Sequence, residues 1–288
     1  MPTRVQRILD EHGSLVFPGV FDTLSAKIAE RAGFPLAFIS GYAVSATLIG
    51  EPDVGLLTQT EVIDRARHIC RAVAIPIIVD ADTGYGNALN VVRTVHELIE
   101  AGAAGCFLED QVWPKKCGHM RGKQVIDRDD YIQKIRAAVE TKGEDDFFIV
   151  ARTDALAAVG LDEAIARVEA ARAAGADATF VEAPSSLEEL REIGRRAPKP
   201  TVANMIEQGK TPILEQTQLA ELGFDLILYP LAGLYASAHA LATVYDRLAG
   251  EGTTSGVRQQ VMTFAQFNEL IGVDEKIALA ARFRTESS

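Results

Sequence analysis

Cysteine is scarce in this 288-residue chain: Cys70, Cys106 and Cys117 are all there are, and no two form a Cys-x-x-Cys pair. A disulfide framework and a structural zinc site both need paired or clustered cysteines, so both are excluded and a reducing cytoplasm is the expected compartment. No apolar run approaches the roughly 20 residues that cross a bilayer. Met1–Ser14 is polar and lacks the apolar segment of a secretory signal, so neither membrane insertion nor export is expected. An excess of basic residues is also missing. Lys and Arg number 29 against 40 Asp and Glu, a net charge of −11, with the acids dispersed along segments such as Ser186–Glu192. That balance excludes a nucleic-acid surface, and an anionic small-molecule substrate would have to be met by local cations or a metal. No low-complexity tract occurs, and no G-x-G-x-x-G follows the first apolar run, which removes the signal of an open dinucleotide-binding sheet.

What the chain does have is apolar residues, 48% of the total and evenly spread, enough for a large core. Eight short runs read as strands: Leu15–Gly19, Ala37–Gly41, Ile77–Asp82, Cys106–Glu109, Phe147–Arg152, Thr179–Glu182, Thr201–Asn204 and Leu226–Pro230. Helical spacing fills the intervals, as in Leu89–Ala101, where Val91, Val92, Val95, Leu98 and Ile99 form one stripe. Three such segments end in Ala-Gly, at Gly33, Gly102 and Gly175, where a left-handed cap is expected. Strands alternating with helices imply parallel pairing, and eight uniform units predict a closed (β/α)8 barrel over residues 1–250. The segment Glu251–Ser255 reads as a linker. Gln260–Arg284 reads as one or two further helices, so residues 251–288 form a C-terminal helical extension that serves as a surface cap or an oligomer contact.

Barrel enzymes build their sites where strands end, so polar groups closing apolar runs are the first candidates. Strand three ends Asp80-Ala81-Asp82, and a period of two places both aspartates on one side. Strand four ends in Glu109-Asp110, strand five in Arg152-Thr153-Asp154, strand six in Glu182 and strand seven in Asn204. Any one of these acids could equally cap the next helix or pair with Arg152. As a ring they call for a cation, and oxygen donors without a His or Cys cluster select Mg²⁺, or Mn²⁺, over zinc. Asp82 is the expected direct ligand, with Asp80, Glu109 and Asp53 holding coordinated waters. Thr83-Gly84-Tyr85-Gly86-Asn87 is a glycine-bearing loop able to bring backbone amides to a carboxylate, and Ser40-Gly41-Tyr42 can offer a hydroxyl and successive N–H groups.

The most informative segment runs from Glu109 to Lys123, a long loop after strand four with Lys115, Lys116, His119, Arg121 and Lys123 around Cys117. Neighbouring cations are expected to lower the thiol pKa, and Gly118 and Gly122 supply the flexibility of a closing lid. Cys117 is then a candidate acid/base, whereas Cys70 and Cys106 sit on apolar elements as filler.

Lys115-Lys116-Cys117-Gly118-His119, preceded by Glu109-Asp110-Gln111 and by Val79-Asp80-Ala81-Asp82-Thr83-Gly84, resembles the isocitrate lyase/phosphoenolpyruvate mutase superfamily over nearly the whole chain. Trp113–Lys123 and Asn204–Pro212 are most similar to its branch of 2-methylisocitrate lyase, 2,3-dimethylmalate lyase and petal death protein. The resemblance implies a Mg²⁺-dependent carbon–carbon lyase that cleaves a 2-hydroxy di- or tricarboxylate to a 2-oxo acid. It implies Asp82 as metal ligand with Asp53, Asp80 and Glu109 in the water shell. Cys117, Arg152, Lys115, His119 and Glu109 would be the catalytic group, with Cys117 the general acid. Ser40, Gly41, Tyr42, Gly118, His119, Arg152, Glu182 and Asn204 would contact substrate. It also implies a homotetramer that exchanges C-terminal helices. Phosphomutase chemistry is the rival, against which Cys117 speaks, because the mutases lack it. Oxaloacetate hydrolysis is disfavoured by Ala232, which has no hydroxyl. A silent binding scaffold would have lost Asp82, Arg152 or Cys117, and all three are present.

Overall fold

A computed structural model describes residues 1–120 and 122–283. Arg121 of the lid and Arg284 of the expected C-terminal helix lie outside the described residues. All eight expected strands form: β1 (Leu15–Val20), β2 (Ala37–Ile39), β3 (Ile77–Asp80), β4 (Gly105–Glu109), β5 (Phe148–Thr153), β6 (Ala178–Val181), β7 (Thr201–Asn204) and β8 (Leu226–Tyr229). Each pairs in parallel with its sequence neighbour, and β1 closes on β8 with Leu15 opposite Leu226, completing the barrel. The (β/α)8 expectation holds.

The strands are buried on both faces because helices cover the outside and side chains fill the inside. Inside, Phe17, Phe38, Phe107, Phe148 and Phe180 stack with Val150, Val202 and Leu228, and Val5 and Leu9 of the helix Arg4–His12 join the same cluster. Phe38 and Phe107 lie 4.6 Å apart between ring centroids, and Phe107 and Phe180 lie 5.6 Å apart. Each such ring contributes roughly 1.5–3 kcal/mol by leaving water, and together they form a solid floor beneath the mouth. Outside, the helix Ala88–Ala101 buries Val91, Thr94, Val95, Leu98 and Ala101. The stripe differs from the expected one in that Val92 is exposed. Gly33, Gly102 and Gly175 all take positive φ, as helix termination before a strand requires.

Compact packing divides the chain into Met1–Leu234 and Tyr235–Ser288. The second unit comprises most of the helix Ala232–Glu251, a 3-10 turn at Ser255–Gln260, and the helices Phe264–Ile271 and Val273–Ala281. Its side chains Tyr235, Leu241, Tyr245, Leu248, Phe264 and Ile277 are exposed.

One close approach shapes the mouth. A Cβ placed on Gly19 at the end of β1 would stand 2.0 Å from the Pro230 carbonyl oxygen just past β8. Only glycine lets these two backbones meet. Gly19→Ala is expected to destabilise the fold by about 1–3 kcal/mol; chemical denaturation measures it, and an unchanged midpoint would refute the close contact.

Candidate active site

The acid ring forms, although strand alternation is not what forms it. β3 ends at Asp80, and Asp82 lies beyond it with φ 48°, a left-handed conformation that a non-glycine residue adopts at a cost of about 1–3 kcal/mol. That turn folds Asp82 back so that its N–H donates to Asp80 Oδ1 at 3.2 Å. The Gly41 N–H donates to Asp80 Oδ2 at 3.3 Å. Asp53 arrives from the segment before the helix Gln59–Ala72. The Lys115 ammonium sits among these acids, 2.5 Å from Asp53 Oδ1 and 2.7 Å from Asp82 Oδ1. Burial pushes Asp82 up to about 7, with Lys115 opposing and Asp80 and Asp53 reinforcing the rise. Burial raises Glu109 well above the carboxylate range as well, against the pull of Arg152.

The carboxylates are therefore short of positive charge. Asp82 Oδ1 is met by the Lys115 ammonium at 2.7 Å, and Glu109 Oε1 is a buried acceptor without a hydrogen-bond partner. Among the described residues no three His, Cys, Asp or Glu side chains gather closely enough to enclose an ion directly. Carboxylate oxygens of this kind are donors suited to a hard divalent cation that keeps part of its water shell.

Arg152, near the end of β5, is the hub of the opposite side. Its guanidinium lies 3.2 Å from Glu109, 3.0 Å from Asp154 and 3.9 Å from Glu182, above the Phe180 ring at 5.5 Å. Glu182 accepts from Asn204 Nδ2 at 3.2 and 3.3 Å. His119 Nδ1 accepts the Lys210 N–H at 3.0 Å, which leaves the ring proton on Nε2, 3.2 Å from Glu182 Oε1. Burial alone would raise Glu182, but Arg152 and His119 outweigh it and hold the carboxyl near 2.

The loop between β4 and the helix Arg128–Lys142 lies closed over these groups. Gln111 ties its two arms by donating to Lys116 O at 2.8 Å and accepting Lys116 N–H at 3.0 Å, and it pairs with Val125 in an antiparallel bridge. The Cys117 N–H donates to Asp53 O at 3.1 Å, fixing the thiol over the acid ring. Gly118 has to be glycine for a steric reason: a Cβ there would lie 2.4 Å from Glu182 Oε1. The expected lowering of the Cys117 pKa does not occur. Burial lifts the thiol to about 11, with only modest relief from the His119 backbone N–H and Arg152, because a closed lid removes solvent faster than it adds charge.

A cavity opens here, lined by Ser40, Tyr42, Cys117, Arg152, Glu182 and Asn204 together with Phe38, Phe107 and Phe180, and with Leu228, Pro230 and Leu231. Thus Ser40, Tyr42, Asp53, Asp80, Cys117, Gly118, Arg152, Glu182 and Asn204 share one chamber, with Asp82, Glu109, Lys115 and His119 packed behind it. The Gly41 N–H is engaged by Asp80, and Ser40 Oγ caps the helix Gly41–Val44, so this turn offers less free donor capacity than expected. The loop Thr83–Asn87 does not line this chamber. Its glycines serve packing, since a Cβ on Gly84 would meet Val91 at 2.4 Å and one on Gly86 would meet Asn90 at 2.2 Å.

Sequence reading gave no role to Arg167, and it named Lys123 only among the lid cations and Asp154 only among the strand-end acids. Arg167 is buried on the helix Leu161–Ala173 and donates both to Asp110 Oδ2 and to Ile126 O, pinning the two ends of the lid together. A charged residue on the apolar stripe Ala164, Val168 and Ala171 was the available signal.

The phosphoenolpyruvate phosphomutase family model matches residues 6–249. The chloroplastic carboxyvinyl-carboxyphosphonate phosphorylmutase of Arabidopsis thaliana is 53% identical over 285 residues, covering 98% of this chain and 84% of that protein. A solved 2,3-dimethylmalate lyase, described as a PEP mutase/isocitrate lyase superfamily member, superposes with a TM-score of 0.90 at 36% identity, covering 96% of this chain and 93% of that one. Phosphonopyruvate hydrolase, solved with oxalate and Mg++, gives a TM-score of 0.86 at 29% identity, with 96% of both chains covered. A barrel whose carboxylate-lined mouth is roofed by a Cys-bearing lid, matched end to end by these proteins, belongs to the phosphoenolpyruvate mutase/isocitrate lyase superfamily of enzymes.

Proposed function

We propose that the protein is a divalent-metal-dependent carbon–carbon lyase that cleaves a small 2-hydroxy di- or tricarboxylate, of the 2-alkylmalate or 2-methylisocitrate type, into a 2-oxo acid and a carboxylate. The observation that carries this reading is the placement of a protonated Cys117 thiol on the roof of the chamber, facing Arg152, Glu182 and Asn204. Asp82, with Asp53, Asp80 and Glu109 acting through water, would hold Mg²⁺ or Mn²⁺. When bound, the ion supplies Lewis-acid polarisation of the 2-hydroxyl and its adjacent carboxylate.

The protein's own groups supply the rest. Ser40, Tyr42 and the Asn204 amide bind carboxylate and hydroxyl oxygens, and Arg152 lies where negative charge grows on the fragment leaving after C2–C3 cleavage. Cys117 delivers a proton from Sγ to that carbanion. A thiol held near 11 is protonated at neutral pH and well suited to donate to a strong carbon base, and the His119 N–H and Arg152 favour the thiolate left behind. Lys115 offsets the acid ring, and His119 with Gly118 orients Glu182. The lid keeps bulk water from reaching the carbanion before Cys117 does. The wall at Leu228, Pro230 and Leu231 is apolar, which favours an alkyl substituent over the hydrate of oxaloacetate. Phosphomutase chemistry is the second reading, supported by the name of the 53% identical relative. A cysteine on the roof has no part in that chemistry.

The exposed apolar side chains of residues 235–283 support assembly as a homotetramer exchanging C-terminal helices, and the scarcity of cysteine supports a cytoplasmic setting. Among the described residues no helix is long and apolar enough to cross a membrane.

Three outcomes are expected. In a coupled assay of 2-oxo acid release, one compound among 2-methylisocitrate, 2,3-dimethylmalate, isocitrate, citramalate and oxaloacetate is turned over with Mg²⁺. Turnover is lost with EDTA and in Cys117→Ser; full activity in either case overturns the lyase reading, and phosphonate formation seen by ³¹P NMR replaces it with the mutase one. Arg152→Lys lowers kcat/KM by about 10²–10³, since an ammonium cannot reproduce the forked contacts; a loss below tenfold would remove Arg152 from the reacting centre. Sedimentation of the full chain gives a tetramer, and truncation after Gly250 gives a smaller species. A monomeric full chain rules out helix exchange.

A further inference from the structure

Lys123 lies at the far end of the lid, yet its ammonium points into the barrel. Its side chain is 1% exposed and sits 2.5 Å from Asp154 Oδ1, itself 0% exposed, while also donating to the Gly118 carbonyl. Asp154 belongs to the barrel mouth. Its carboxylate accepts from Arg152 Nε at 3.0 Å and from Arg152 Nη2 at 3.3 Å, and its N–H donates to Asp110 Oδ1 at 2.8 Å. A single buried carboxylate is therefore shared by a cation of the lid and the cation of the chamber.

We propose that Lys123 is a positioning residue that couples closure of the lid to the orientation of Arg152 through Asp154. The inference rests on the lyase reading only in assigning a use to the closed state. Because Arg167 holds Asp110 and Ile126 O together, the lid is confined to moving between fixed ends, and the Lys123 ammonium is the group that meets the barrel wall when it shuts. Closure places a second cation on Asp154, which weakens its hold on Arg152 and leaves the remaining guanidinium N–H groups for Glu109 and the chamber. The bond from Lys123 to Gly118 O acts on the residue next to Cys117, so the same ammonium sets the curl that turns the thiol inward. Opening would carry the Lys123 ammonium into solvent and leave the buried Asp154 carboxylate with Arg152 as its one remaining cation, which gives the closed lid its preference.

The test needs neither substrate nor metal. Alkylation of Cys117 by iodoacetamide, read by peptide mass spectrometry in the full chain, and amide exchange of residues 111–125 both report lid opening. Lys123→Met is expected to raise the alkylation rate by about tenfold or more, as the loss of a charged hydrogen bond should, and to speed exchange across the lid. Lys123→Arg, which keeps the charge, is expected to return both close to wild type. Asp154→Asn removes the same bond from the barrel side and is expected to match Lys123→Met; it stands in if that variant fails to fold. Unchanged alkylation and exchange in a folded Lys123→Met protein overturn the coupling while leaving the lyase reading intact. Faster alkylation in a protein that turns over no compound of the panel supports the coupling and removes the lyase reading.

Discussion

Carboxylates outnumber cations in the mouth of this barrel, and the structure depends on how that deficit is met. Asp53, Asp80, Asp82, Glu109, Asp110, Asp154 and Glu182 are all buried there, facing Lys115, Lys123, Arg152 and Arg167. An unpaired buried charge is costly, so each carboxylate either finds a cation or rises in pKa. The distribution is uneven. Glu182 is held near 2 by Arg152 and His119 against the effect of burial, whereas burial raises Asp82 and Glu109 despite Lys115 and Arg152 beside them. The asymmetry divides one chamber into a half centred on the Arg152 guanidinium and a half centred on the Lys115 ammonium.

The lid is built on the same economy of charge. Three of its side chains turn inward: Lys115 to Asp53 and Asp82, His119 to Glu182, and Lys123 to Asp154. Glycine is needed between them, since at Gly118 the backbone lies against the Glu182 carboxylate with no room for a Cβ. The closed lid thus adds cations to the mouth while excluding solvent from it, and burial is what raises the Cys117 pKa.

Beneath the polar layer, the aromatic floor of Phe38, Phe107 and Phe180 separates the charges from the barrel interior. It also limits the depth to which a ligand can enter. The Phe180 ring carries the Arg152 guanidinium on its face, so the packing core and the charged site share one side chain. The strain at Asp82 is held by the same construction, because the hydrogen bond its N–H donates to Asp80 Oδ1 and the closed turn at Ala81–Gly84 fix that backbone.

By itself the sequence determined the architecture and the chemical inventory. Eight β-rich runs separated by 3.6-periodic stripes admit parallel pairing alone, and acids at strand ends necessarily gather at one face of a closed barrel. The Lys-Lys-Cys-Gly-His element was likewise legible as a lid, because glycines and cations flanking a single cysteine have no role in a core. Tertiary structure alone decided the electrostatics and the division of labour. Whether Cys117 is acidified or made less acidic depends on solvent exclusion, which cations in sequence cannot report. Whether Gly84 serves a ligand or Val91 depends on the helix packed against it. Asp110, Asp154 and Arg167 acquire meaning only from side chains that approach from 31, 43 or 57 positions away. Charge is a long-range property of burial and distance, and neither is written in the local order of residues.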